Sequence, residues 1–193
     1  MKPKLMSRKV KFFLENLRGS LLIALFTFLA AILVTLISQS GIRYVSLVPA
    51  IIILSIIIFI GIISDMVGVA ATAAEEKSFN ARAAKKLFGA REGLFLVRHA
   101  DRVSSLMCDI IGDICGTVSG ALGVVIVIRI IDNWGGSETL INLIIIGLVA
   151  ALTVGGKAFF KTYGIKRADD IIFFAGKLLA GLKLVKGFFR GEN

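Results

Sequence analysis

Long runs of apolar residues without a charged side chain restrict most strongly how this chain can fold. Residues 19–38 carry no charge, and a helix of that length crosses a hydrocarbon core of about 30 Å. Further apolar runs cover residues 45–74, 103–131 and 140–160. Of the 193 residues 56% are hydrophobic, and the mean hydropathy is +0.88. Soluble domains are rarely so apolar. The sequence therefore predicts an all-α polytopic membrane protein with four transmembrane helices.

The first apolar run could instead belong to a signal peptide, because the preceding residues 1–18 are basic. It is longer than the usual apolar region of a signal peptide, about 7 to 15 residues, and no A-x-A cleavage site follows it. We therefore expect a basic cytoplasmic N-terminus over residues 1–18 and a transmembrane domain over residues 19–164.

Lysine and arginine are concentrated in three segments of the chain. Residues 1–18, 75–102 and 157–193 hold 21 of the 23 basic residues. Connections rich in Lys and Arg stay on the cytoplasmic side of a membrane. We therefore expect a multi-pass protein of the cell membrane with both termini and the middle segment in the cytoplasm. This anchoring accounts for the net charge of +10, so nucleic acid is not an expected partner.

Two segments outside the spans are amphipathic. Residues 75–102 predict two short helices broken near Gly89 or Gly93, which form a cytoplasmic hairpin lying in the membrane interface. Residues 165–193 group apolar side chains against Lys and Arg. This pattern predicts a basic amphipathic C-terminal helix that binds anionic lipids of the inner leaflet.

Three aspartates, Asp65, Asp109 and Asp113, lie in otherwise uncharged spans. An acid near the centre of a membrane helix costs about 2.5–3.5 kcal/mol, so we expect the chain to use these side chains. Asp109 and Asp113 are four residues apart, which predicts a shared face on an α-helix. Counted from the cytoplasmic ends of the second and third spans, the three carboxylates are expected at similar depth.

Clustered carboxylates repel one another, so such a group needs protons or a cation. Its oxygens, with the hydroxyls of Ser64 and Ser105 as neutral additions, suit a hard divalent ion such as Mg²⁺. The sequence leaves open a structural role, in which the aspartates are protonated, hydrogen-bonded or paired with Lys157. With a single His in the chain and no nucleophile beside a base, an enzyme is not expected.

Small residues and cysteines of the third span predict packing rather than chemistry. Gly112, Gly116 and Gly120 repeat every four residues, a pattern typical of close contact between membrane helices. Cys108 and Cys115 lie in the same apolar run and are expected to fill space between helices.

Three stretches of sequence occur in a familiar order. They read FIGIISDMVGVAATAAEEK (Phe59–Lys77), ADRVSSLMCDIIGDICGTVSGALG (Ala100–Gly123) and GGKAFFKTYGIKRADDIIFFAGKLL (Gly155–Leu179). The order of features resembles the transmembrane domain of the CNNM/CorB/CorC magnesium transporters. It runs from a span with a small and acidic motif through a hairpin and a span ending in SGALG to a span that leads into an amphipathic helix. The resemblance covers residues from about 45 to 190, and the run at 19–38 is an additional helix.

The chain departs from that family at several positions. The family's Ser-Gly-Ser-Glu pattern is replaced by Ser64-Asp65, and a family Asn is replaced by the region of Asp109 and Asp113. A Gly-Glu near the end of the last span reads Gly156-Lys157. The cytosolic CBS-pair domain usual in the family is not expected, because only the amphipathic tail follows the spans.

The resemblance implies a homodimer that transports Mg²⁺. On this interpretation the ion is held by Asp65, Asp109, Asp113, Ser64 and Ser105 and crosses by alternating access as the hairpin moves. The competing interpretation is a membrane interaction or scaffold module that transports nothing, in which the intramembrane aspartates bind a partner subunit.

Overall fold

The computed structural model describes residues 17, 19–33, 35–36 and 46–190, with side chains described as far as residue 184. This part of the chain is helical apart from short connections. The helices are α1 (Gly19–Leu33), α2 (Leu47–Ala73), α3 (Glu76–Ala84), α4 (Ala90–Arg98), α5 (Ala100–Ser104), α6 (Asp113–Trp134), α7 (Glu138–Lys166) and α8 (Ala168–Arg190). A π-helix (Ser105–Gly112) joins α5 to α6 without a break.

Three of the described helices are long and apolar enough to cross a membrane, which confirms the predicted helical character and supports a membrane protein. They are Leu47–Ala73, the continuous helix Ala100–Trp134 and Glu138–Lys166, with 27, 35 and 29 residues. The first predicted span is described mainly as the shorter apolar helix Gly19–Leu33, and residues 37–38 lie outside the described residues. A fourth span therefore stays a prediction, and the basic N-terminus lies outside the described residues apart from Leu17.

The last span is longer than the sequence predicts. Helix α7 continues to Lys166, whereas the apolar run ends near residue 160. Lys161 and Lys166 end the apolar pattern, but charged side chains on an exposed face do not interrupt backbone hydrogen bonds. Helix α8 begins after Arg167, so a single residue separates the span from the amphipathic tail.

Helix α2 lies at the centre and contacts the π-helix, α6 and α7. Two stripes with four-residue spacing form the main core, and they meet Val149 of α7. The stripes are Ala50, Leu54, Ile58 and Ile62 on α2, and Ile114, Val118, Leu122 and Ile126 on α6. Residues four apart lie on one face of a helix, so the two faces pack along several turns.

A second core joins the hairpin to the amphipathic tail. It consists of Ala70, Ala71, Phe79, Leu96, Ala168 and Ile172. Helix α4 begins after Gly89, whose φ of +81° is readily adopted by glycine alone. The break predicted in the hairpin therefore lies at Gly89, whereas Gly93 lies inside α4 against the ring of Phe79.

Polar contacts hold the hairpin in place. Arg98 donates a hydrogen bond of 2.8 Å to Glu76, and Lys183 of α8 lies 3.2 Å from Glu92 of α4. The backbone N–H of Glu75 donates to Oδ1 of Asp169 at 3.0 Å. These contacts join α3 to α4 and tie the hairpin to α8, on the side of the molecule where the second core lies.

Candidate functional site

A lysine from one span lies between two aspartates from the other spans. The ammonium nitrogen of Lys157 lies 3.3 Å from Oδ1 of Asp65 and 3.7 Å from Oδ1 of Asp113. Asp65 belongs to α2, Asp113 opens α6 and Lys157 belongs to α7. We call these three side chains the charged cluster, and it joins the three helices that are long enough to cross a membrane. Along α2 it lies between the two cores, because Asp65 follows Ile62 and precedes Ala70.

The charged cluster is buried at one end and open at the other. The side chain of Asp65 is 13% exposed and that of Lys157 is 21% exposed, whereas that of Asp113 is 71% exposed. A charge at the closed end depends on its partners for stability, since water reaches it poorly. Asp113 forms the open side of the cluster.

Gly112 provides the space in which the cluster forms. A Cβ at this buried position would lie 3.1 Å from Oδ1 of Asp65 and 3.3 Å from the nitrogen of Lys157. Both distances are shorter than ordinary contacts of a carbon atom. Gly156, the neighbour of Lys157, packs directly against the side chain of Ile62. The absent side chains let α2, α6 and α7 approach closely enough for the three charges to meet.

The π-helix leads directly into Asp113 and is held by α2. The hydroxyl of Ser64 donates a hydrogen bond of 2.7 Å to the carbonyl oxygen of Met107, and the thiol of Cys108 lies 3.6 Å from the carbonyl oxygen of Asp65. Gly68 makes this approach possible, because a Cβ there would lie 2.5 Å from the sulfur of Cys108. π-Helices are rare and are often found at functional sites.

The predicted site residues are only partly brought together. Asp65 and Asp113 meet at Lys157, but Asp109 lies exposed on the π-helix, and Ser105 begins that helix. Ser64 is buried and bonded to Met107 rather than directed to the carboxylates. Within the described ranges no three His, Cys, Asp or Glu side chains are grouped as a metal site.

Asp109 lies within the π-helix that precedes Asp113. The expectation that the two share a face assumed α-helical geometry, whereas a π-helix bonds residue i to residue i+5 and turns less per residue. Both carboxylates are exposed, and of the two only Asp113 lies within 4 Å of the ammonium of Lys157. The shared face of Asp109 and Asp113 stays a prediction.

Lys157 is the member of the cluster that the sequence identified only as a structural partner. It is the one charged residue within the apolar run 140–160, so like the aspartates it is a charge in an otherwise uncharged span. A basic residue in one span and acids in two others predict a pairing between helices. Spacing could not reveal it, because the three residues belong to separate parts of the sequence.

The small residues of the third span behave differently from one another. Gly112 packs against the charged cluster, whereas a Cβ at Gly116 or Gly120 would have no described neighbour within 4 Å. The predicted close packing is therefore present at Gly112 alone of these three. The two cysteines do pack between helices, Cys108 against Gly68 and Cys115 against Gly61.

Two carboxylates from different spans direct their oxygens to one position, and a positive charge occupies that position. With all three groups ionised the cluster carries a net charge of −1, counted as two aspartates against one lysine. Such a set can bind a cation, tie helices together or do both in turn. No protein-family model, curated protein or solved structure matches the chain.

Proposed function

We propose that this chain moves a divalent cation, preferably Mg²⁺, across the cell membrane by alternating access, with Asp65 and Asp113 as carboxylate ligands. The observation that supports this function is the convergence of both carboxylates on one cation position, occupied by the ammonium of Lys157. Carboxylate oxygens are hard ligands, and Mg²⁺ is usually held by one or two of them together with water. The exposed side of Asp113 gives that water access to the site.

The proposed movement changes the packing of α2, α6 and α7 around the cluster. These helices meet at Gly112 and Gly156, where small residues allow sliding contact. The hairpin of α3 and α4 follows α2 along the chain and is bonded to α8, so its movement would be transmitted to the span that carries Asp65. We propose that this movement opens the site toward the cytoplasm.

The orientation in the membrane is part of the proposal. Both termini and the hairpin face the cytoplasm, α8 lies on anionic lipids of the inner leaflet, and two copies form a homodimer. The basic segments support this orientation, because 21 of 23 Lys and Arg residues fall in three stretches that would share one side.

Ion flux into liposomes tests the function. The full chain is reconstituted with a Mg²⁺-sensitive dye inside, and Asp65→Asn and Asp113→Asn are compared with Asp132→Asn, an exposed acid at the far end of α6. We expect Mg²⁺ uptake by the wild type and by Asp132→Asn, and strongly reduced uptake by the two cluster variants. Wild-type uptake equal to that of empty liposomes would contradict transport.

Labelling of single cysteines tests the orientation. In a chain whose two native cysteines are replaced by alanine, a cysteine at Ser78 reports on the hairpin and one at Ser137 on the connection between α6 and α7. We expect an impermeant reagent applied to intact cells to label Ser137→Cys only. Labelling of Ser78→Cys alone would invert the proposed orientation.

An interaction module is the second candidate, and the exposed acids of the third span favour it. Asp109 and Asp113 are exposed, and a Cβ added at Gly116 or Gly120 would meet no described atom of another helix within 4 Å. Acids on the surface of a membrane helix are costly unless another chain or water covers them. If this module is correct, Gly116→Leu will disrupt assembly in detergent, measured by light scattering, and the wild type will show no Mg²⁺ uptake.

A further inference from the structure

We infer that Lys157 regulates the cation site as a built-in competitor, so that its ammonium must leave before Asp65 and Asp113 can hold an ion. This inference rests on the proposed function and describes how the same site is controlled. The observation that carries it is that one nitrogen atom contacts both carboxylates at 3.3 and 3.7 Å. A second cation bound between the same oxygens would occupy the position of that nitrogen.

Charge counting favours alternation of the two cations over joint binding. With Lys157 between the aspartates the cluster carries −1, from two acids and one base. A divalent ion added beside the ammonium would raise the sum to +1 and place two cations in direct contact. A divalent ion that replaces the ammonium gives a neutral site. Because Asp65 is only 13% exposed, the neutral arrangement avoids an uncompensated buried charge.

The surroundings give Lys157 a route out of the cluster. Asp113 is 71% exposed, so the open side of the cluster lies next to the ammonium. A lysine has a flexible four-carbon stem that can keep its chain on apolar surface while its charge turns toward water. Displacement therefore requires rotation of one side chain rather than unfolding of α7.

Departure of the ammonium would also remove a tie between helices. Lys157 joins α7 to α2 through Asp65 and to α6 through Asp113. When an ion takes its place, α2 and α6 become bridged by the ion, and α7 loses both ion pairs. Occupancy of the site is thereby linked to the position of α7, which an alternating-access protein requires.

The affinity of the purified full chain for Mg²⁺ tests whether Lys157 competes with the ion. Lys157→Met removes the ammonium and retains an unbranched apolar stem, and Lys161→Met makes the same exchange one turn later at an exposed position. A neighbouring unit charge changes the cation affinity of a carboxylate by about ten- to a hundredfold or more. We expect Lys157→Met to bind Mg²⁺ at least about tenfold more tightly than the wild type, and Lys161→Met to match the wild type.

Charge-preserving and neutral polar variants guard against a folding defect. Lys157→Arg should keep the wild-type affinity, because it retains the positive charge, whereas Lys157→Gln should bind Mg²⁺ more tightly while still offering a hydrogen bond to Asp65. If Lys157→Met does not fold, the comparison of Lys157→Gln with Lys157→Arg decides. Equal Mg²⁺ affinity in these two folded variants would contradict the role of Lys157 as a competitor.

The failure of this inference differs from the failure of the proposed function. Equal, measurable Mg²⁺ affinity in the wild type and Lys157→Met would contradict competition by Lys157 but still agree with a cation site. No Mg²⁺ binding by either protein would contradict both the cation site and competition by Lys157. Tighter binding by both Lys157→Met and Lys161→Met would show a general effect of net charge, which also contradicts a specific role for Lys157.

Discussion

Ser64 of α2 donates a hydrogen bond of 2.7 Å to the carbonyl oxygen of Met107, in the π-helix of the neighbouring span. The change from α- to π-helical bonding disturbs the regular pairing of backbone groups. A carbonyl oxygen inside the protein needs a donor, and the buried hydroxyl of Ser64 supplies one. This bond fixes the π-helix against the helix that carries Asp65.

Replacement of Ser64 by alanine should therefore weaken the structure around the π-helix. We expect Ser64→Ala to lower the free energy of unfolding by about 1–3 kcal/mol, because the Met107 carbonyl loses a partly buried hydrogen bond. Thermal unfolding in detergent, followed by circular dichroism, measures the change.

Ser55→Ala provides the matched control on the same helix. Ser55 bonds to the carbonyl of Ile51 in its own helix at an exposed position, so its loss should change stability little. Equal melting temperatures for Ser64→Ala and Ser55→Ala would show that the bond to Met107 does not hold the π-helix.

The sequence predicted the spans because charge and hydropathy are local properties. Apolar runs located α2, the third span and α7, and the cost of buried charge identified Asp65 and Asp113 as unusual. The π-helix was not predictable in this way, since its register depends on Ser64 and Gly68 of another span. The sequence treated Asp109 and Asp113 alike, and of the two only Asp113 lies within 4 Å of Lys157.

The sequence predicted the pairing of Lys157 with the aspartates only as one of several structural roles. Hydropathy identifies a charged residue within a span, but it does not give the rotation of one helix against another. That rotation is set here by Gly112 and Gly156, whose missing side chains admit the neighbouring helices. Which acids meet the lysine is thus a property of packing between spans.

The crossing of α4 and α8 should tolerate no side chain at Gly176. A Cβ there would lie 2.5 Å from the carbonyl oxygen of Gly89 and 2.7 Å from the backbone nitrogen of Gly93. Backbone atoms cannot move aside as a flexible side chain can, so we expect Gly176→Ala to cost about 3 kcal/mol. Chemical unfolding monitored by circular dichroism tests this value.

Gly181→Ala is the control, because it lies on the same helix with no atom within 4 Å of its Cβ position. Alanine favours the helix by about 1 kcal/mol over glycine, so this variant should be as stable as the wild type or more stable. A Gly176→Ala protein with the stability of Gly181→Ala would rule out close contact between α4 and α8.

The link between Glu76 and Arg98 should make the hairpin sensitive to acid. The hydrogen bond from Arg98 lowers the pKa of the Glu76 carboxyl, and the positive charge of Arg98 adds to this effect. A lowered pKa in the folded state contributes stability that is complete above the usual carboxyl pKa and is lost as the pH falls through the lowered pKa.

Hydrogen exchange of the backbone amides of α3 and α4 measures this contribution when wild type and Glu76→Gln are compared at the same pH. We expect faster exchange in Glu76→Gln near neutral pH and similar exchange at a pH below the lowered pKa, where the wild-type carboxyl is protonated as well. The effect is small, because both side chains are about half exposed. A difference of the same size at both pH values would contradict the assigned cause.

Asp65 and Asp109 should differ in their importance for stability, although both are acids within a span. Asp65 is nearly buried and is the nearer partner of Lys157, so Asp65→Asn leaves an ammonium with only the exposed Asp113. We expect Asp65→Asn to cost about 2–4 kcal/mol. Asp109 is exposed, so Asp109→Asn should leave the stability unchanged or raise it slightly, since it removes a charge from a membrane helix.

Thermal unfolding of both variants, with and without Mg²⁺, distinguishes these roles. The wild type should melt at higher temperature as Mg²⁺ is added, because a ligand that binds the folded state stabilises it. Asp65→Asn should lose that response and Asp109→Asn should keep it. Loss of the response in Asp109→Asn alone would mean that the ion binds at the π-helix rather than between Asp65 and Asp113.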